Sequence, residues 1–150
     1  MKRFIPLVLI KIKVFLIFSF IVFSCTDTDE RPEVSYEVSF KNTTSLPFQI
    51  KGFSIYDELE YEYEINSMSS GGDFTYDSEN FDGYRRRADS IVIIFPDNKG
   101  YICADRVNAN TFCFDGKSPL GSDSSFSHLG NNIYEFIITQ EDYDNAYTLP

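Results

Sequence analysis

Apolar and polar residues alternate with a period of two through most of the chain from position 33 onward. Val34, Tyr36, Val38 and Phe40 fall on one side; Glu33, Ser35, Glu37, Ser39 and Lys41 fall on the other. That period predicts a half-buried strand. A turn over 42–45 follows, then Phe48, Ile50, Phe53 and Ile55, with Gly52 shifting the phase by one and predicting a bulge. In 57–65, Leu59, Tyr61, Tyr63 and Ile65 alternate with Glu58, Glu60, Glu62 and Glu64. A helix would scatter those glutamates around its axis, whereas a strand gathers them on one face.

The next segments are less regular. Positions 67–73, with Gly71 and Gly72, read as a loop. Phe74 and Tyr76 suggest a short strand, and 77–87 is polar and irregular. Residues 89–95, DSIVIIF, are hydrophobic on both faces, which predicts a central strand. The turn signal 96–100 leads to a returning strand at 101–104 and a further one at 111–114. Positions 115–131 read as a long loop, and 133–139 as the last strand. Thr139 followed by Gln140, Glu141 and Asp142 looks like a helix N-cap with acids in the first turn. The expectation is an all-β fold: an antiparallel β-sandwich, Ig-like or similar, of about seven to eight strands with a short C-terminal helical turn.

The first 24 residues follow a different rule. Lys2, Arg3, Lys11 and Lys13 precede an apolar run, Val14 onward to Phe23, broken only by Ser19. This is the layout of a secretory signal peptide. A membrane span needs roughly 20 predominantly apolar residues, and Lys11 and Lys13 cut the run to about half that. The alternative is an uncleaved anchor that starts near Phe4 and snorkels its lysines.

The signal ends Val22-Phe23-Ser24-Cys25, which resembles a bacterial lipobox, with Phe23 where a small residue is more usual. The resemblance implies diacylglycerol on the Cys25 thiol, cleavage before it and acylation of the new amine. The following segment, Thr26-Asp27-Thr28-Asp29-Glu30-Arg31-Pro32-Glu33, is too poor in apolar residues to fold and reads as an acidic tether. It resembles the acidic segments of surface-exported lipoproteins of the Bacteroidetes type. The implied organisation is a signal peptide at 1–24, a lipidated Cys and tether at 25–33, and a β-sandwich at 34–150. With the DSIVIIFPDNKG hairpin, the chain is similar to small β-sandwich lipoproteins of that type, which offer no catalytic residues to carry over. The implied address is the outer membrane, lipid-anchored, with the domain outside the cell or, alternatively, facing the periplasm.

Charge narrows the partners. Losing the four signal cations from the 13 Lys and Arg leaves nine against 23 Asp and Glu, a net charge near −14. That disfavours nucleic acid and anionic membrane surfaces. The expected partners are the membrane, through the lipid on Cys25, and an envelope protein or glycan. Cys103 and Cys113 remain, in a compartment that permits a disulfide; the alternative is two buried thiols.

Candidate chemistry is sparse. His128 is the only histidine, and no nucleophile elbow frames Ser122, Ser124, Ser125 or Ser127. No cofactor or metal is expected. Asp73, Asp77, Glu79 and Asp82 are a loop cluster that a calcium reading could use, without the EF-hand pattern. Arg85, Arg86 and Arg87 form the one basic cluster, able to take an anion or simply to balance nearby acids. The expected function is a non-enzymatic binding or accessory module. One alternative is an acidic inhibitor of a cationic envelope-attacking enzyme of the lysozyme kind; another is a small hydrolase.

Overall fold

A computed structural model describes residues 33–105 and 112–150. The signal, Cys25 and nearly all of the tether lie outside the described residues. Among the described residues no helix is long and apolar enough to cross a membrane.

The domain is an all-β sandwich of two sheets. One orders its strands β4-β1-β8-β7 and the other β3-β2-β5-β6-β9. The strands are β1 (Val34–Asn42), β2 (Phe48–Phe53), β3 (Leu59–Ile65), β4 (Ser70–Ser78), β5 (Ser90–Ile94), β6 (Lys99–Ala104), β7 (Ser127–Gly130), β8 (Ile133–Ile138) and β9 (Tyr147–Thr148). A short helix, α1 (Gln140–Asp144), separates β8 from β9. Nine strands form, against the seven or eight expected. One pair, β1 with β8, is parallel: Glu37 lies beside Ile133 and Asn42 beside Ile138. Strands so distant in sequence can pair in parallel because the intervening domain serves as their crossover.

The alternating positions meet between the sheets. Val38, Phe40, Phe136 and Ile138 face Phe48, Ile50, Ile91, Ile93 and Cys103, all fully buried. Each large apolar side chain so buried contributes roughly 1.5–3 kcal/mol. β5 is central in its sheet, as its two-sided hydrophobicity predicts, and the Glu-rich segment is the strand β3 at that sheet's edge. The predicted bulge lies at Gly52/Phe53 in the β2–β3 register.

Three readings change. β4 begins at Ser70, so Gly71 and Gly72 are strand, not loop. The β1–β4 register slips there, and Gly72 takes φ +71°, the left-handed conformation that a glycine bulge requires. The supposed loop at 115–131 contains a 3₁₀ turn, Asp123–Ser125, and strand β7. Asn131 and Asn132, both at positive φ, close the β7–β8 hairpin. The expected strand at 111–114 shrinks to one bridge, Phe112 with Ile102, and Thr111 lies outside the described residues.

Candidate functional site

Residues 79–89 carry the chain from β4 to β5 across one end of the sandwich. Their 3₁₀ turn, Gly83–Arg86, inserts Tyr84 completely into the core. The Tyr84 ring centroid is 4.4 Å from that of Phe40, and its hydroxyl donates to Gly72 O at 2.7 Å. Burial holds this phenol well above its ordinary pKa. The sequence reading missed Tyr84, because one buried aromatic amid polar residues leaves no periodic signal.

With Tyr84 inside, the arginines that follow it diverge. Arg85 reaches Asp105 at 2.9 Å. Arg86 pairs with Asp82 at 2.7 Å and donates to Ser78 Oγ at 2.8 Å. Arg87 turns to the seam between β3 and β4, where its guanidinium carbon stands 4.5 Å from the Tyr61 ring centroid, 5.2 Å from Tyr63 and 5.1 Å from Phe74. Its Nη2 donates to the Tyr63 hydroxyl at 2.5 Å. Cation–π contacts of this kind are worth about 0.5–2 kcal/mol each. The three guanidinium groups do not converge on one anion, and Arg87 closes the edge of the sandwich. Beneath it the Tyr61 hydroxyl is buried without a hydrogen-bond partner. Burial raises that phenol's pKa, and the Arg87 charge offsets part of the rise.

Cys103 and Cys113 are joined in a disulfide with Cα atoms 4.7 Å apart. The bond holds the start of 113–126 against β6. Lys117 holds the same segment to α1: its Nζ donates to Asp142 Oδ2 at 2.7 Å and to Ile137 O at 2.8 Å. The same Oδ2 accepts from the Thr139 amide at 2.6 Å and the Thr139 hydroxyl at 2.8 Å, completing the expected cap of α1. Tyr101 donates to Asp142 O at 2.5 Å, and its phenol is raised to about 12, by burial first and the Asp142 charge second. This locked corner is structural; the sequence predicts its Cys103–Cys113 bridge and its Thr139 cap, and the Lys117 and Tyr101 contacts were missed.

A shallow depression of about 400 Å³ next to Cys113 is lined by Phe114, Lys117, Ser118, Ser122, Ser124 and Ser125. His128 is in β7, not in a loop, and its ring stacks on Tyr134 with centroids 4.6 Å apart. Among the described residues no hydrogen bond joins His128 to Ser122, Ser124, Ser125 or Ser127, and no cluster of His, Cys, Asp or Glu is arranged to hold a metal ion. Of the acidic cluster, Asp73 and Asp77 point outward from β4, while Asp82 is engaged by Arg86.

Large exposed apolar side chains lie at the β2–β3 turn and, apart from it, in β7 level with the middle of β1. Tyr56 is 81% exposed, Leu59 53% and Leu129 57%. A partly buried aromatic group joins β1, β8 and the β4–β5 connection: Phe81 and Tyr134 have centroids 4.2 Å apart, and Tyr36 meets Phe81 at 5.7 Å.

The fold and these features define a disulfide-bridged all-β sandwich domain with an acidic edge. Comparison with known proteins finds no matching family model, no matching curated protein and no matching solved structure.

Proposed function

We propose that the chain is an exported, lipid-anchored envelope protein whose sandwich is a non-enzymatic binding or accessory module at the outer membrane, facing outward. The Cys103–Cys113 bridge carries this reading. Structural disulfides persist in oxidising compartments and are rare in the cytosol, so the bond supports export. The signal and lipobox ending at Cys25 supply the route and the anchor. Fatty-acid labelling tests it: wild type should take up label and sediment with membranes, and Cys25→Ala should do neither. Equal labelling of both would overturn the anchor. Loss of the domain to external protease on intact cells tests its outward facing.

A second reading, an acidic inhibitor of a cationic envelope-attacking enzyme, draws on β3. Glu60, Glu62 and Glu64 are exposed on its outer face, and Lys51 pairs with only one of them, Glu62, at 3.1 Å. Steering by such charges is fast and sensitive to salt. Inhibition of a basic lysozyme at low salt that disappears at high salt would favour it over the accessory module.

A further inference from the structure

We propose that the outer face of the β3-β2-β5-β6 sheet, with the pocket at one end of it, binds a basic, apolar protein segment whose Lys or Arg enters the pocket beside Glu64. The proposal rests on the binding-module reading above and names a ligand for it.

The strand registers build the face. Glu64, Gln49 and Ile94 stand side by side in one row across β3, β2 and β5. Glu62, Lys51, Val92 and Ile102 form the next row, which reaches β6, and Leu59, Phe53 and Ser90 form the third. Ile91 and Ile93 are buried in the core, so alternation turns Val92 and Ile94 outward. There Phe53, Val92, Ile94 and Ile102 are only half-buried, while Glu62 and Glu64 are exposed along the β3 margin. The face is thus an apolar stripe with an acidic border.

The pocket ends the stripe. A cavity of about 330 Å³ opens at the first row, lined by Pro47, Gln49, Glu64, Ile94, Pro96 and Asn98 among others. The proline rings wall it and bring no N–H donor. Among the described residues neither the Glu64 carboxylate nor the Gln49 side-chain amide has a hydrogen-bond or ion-pair partner. Lys51, the base in the next row, is held by Glu62 at 3.1 Å. Asn98 Nδ2 donates to Leu149 O at 3.3 Å, which leaves the Asn98 side-chain oxygen to accept. Apolar walls with a free carboxylate and accepting amides suit a cation on an aliphatic stem, the form of Lys and Arg.

Charge complementarity selects the occupant. A second copy would set glutamates against glutamates, and an anionic or purely apolar segment would cover Glu64 without pairing it. An extended segment places alternate side chains about 6.8 Å apart, which is also the spacing of Ile94 and Val92 along β5. A cation in the pocket therefore sets the side chain two residues further on over Val92 and Ile102.

The chain contains no Trp, so a tryptophan in a probe peptide reports binding by its own emission. The probe is acetyl-Lys-Ser-Trp-Ser-Leu-amide, titrated with the full chain purified from whichever cell fraction holds it. The same peptide with Glu in place of Lys should bind about tenfold more weakly or worse. Glu64→Gln should weaken the Lys peptide about five- to tenfold, and Val92→Thr about threefold. Asp77→Asn, the same charge change on the exposed side of β4 in the other sheet, should alter it by under about twofold. Equal affinity for the two peptides, or equal effects of Glu64→Gln and Asp77→Asn, overturns the proposal. So does pentylamine competing at the concentration of the peptide, which would assign the pocket to free amines. Self-association that Val92→Thr abolishes, without peptide binding, would assign the face to a second copy and overturn it too. Any of these failures leaves the anchored module to its own test by fatty-acid labelling, and failure of that labelling leaves this titration unaffected.

Discussion

The Tyr61 ring is packed so closely on Gly52, its partner across β2 and β3, that a Cβ at Gly52 would fall 2.2 Å from Tyr61 Cε1 and 2.3 Å from Cζ. Gly52 is there because the ring occupies the space a side chain would need. The ring cannot step aside easily, since Arg87 covers it at 4.5 Å and the residue is 6% exposed. Gly52→Ala should therefore cost about 2–3 kcal/mol and lower the melting midpoint by roughly 8 °C or more. A midpoint within a degree of wild type would show that the ring moves freely.

Two buried tyrosines should respond with opposite sign to loss of a hydroxyl. Tyr61 buries its hydroxyl unpartnered, whereas Tyr84 donates to Gly72 O at 2.7 Å. Tyr61→Phe relieves a desolvated group and should raise stability by about 1 kcal/mol, while Tyr84→Phe should lower it by roughly 1–2 kcal/mol. Chemical denaturation of both variants checks the pair. Destabilisation of equal size in the two would mean that Tyr61 has a partner, such as a bound water.

Alkaline pH should unfold the domain. Burial raises Tyr61 and Tyr84, and Tyr101 is raised to about 12, from a common ordinary value of 10.0. Above pH 10 the unfolded chain loses phenolic protons that the folded chain retains, so ν_U falls below ν_N and stability declines with rising pH. These groups' contribution is complete below pH 10 and is lost as pH rises through 10 towards 12 and beyond. Tyrosinate absorbance should rise in one cooperative step together with loss of β circular dichroism. Gradual independent titration with the fold intact at pH 12 would contradict this.

What the sequence made legible follows from the range of each interaction. The period of two in Leu59, Tyr61, Tyr63 and Ile65 is local, and it places β3 correctly with its glutamates outward. The Thr139–Asp142 cap spans three residues and was equally visible. β7 escaped because four residues, Ser127–Gly130, are too few for a period, although the two asparagines after them carry a hairpin signal. The β4 start escaped because Gly71 and Gly72 look like a loop until Phe40 and Tyr84 are known to press against Gly72. Arg85, Arg86 and Arg87 read as one basic patch, yet successive residues of a tight turn point in different directions, and each meets a partner remote in sequence or across the turn. Lys117 with Asp142 depends on tertiary contact alone.

The Cys103–Cys113 bridge connects the proposed export of the protein to its stability. Cys103 sits at the core face of β6, opposite Ile91, and is fully buried. Cys113 is 8% exposed and begins the segment that Lys117 later fastens to Asp142. Ring stacking adds to the same attachment, since Phe114 lies on Tyr101 with centroids 3.7 Å apart. Closing a loop of eleven residues should stabilise the fold by roughly 3 kcal/mol in the chain-entropy model. Its removal should also loosen Phe114 and Lys117, which the bond aligns, so Cys103→Ser/Cys113→Ser should lose at least that much, with about 10 °C off the melting midpoint. Reductant should lower the wild-type midpoint towards that of the variant and leave the variant unchanged. Exchange protection should fall first in 113–126, the segment the bond anchors, and last in β5 at the centre of its sheet. A wild-type midpoint indifferent to reductant, with both thiols then shown free to alkylate, would remove the bridge and with it the main support for export.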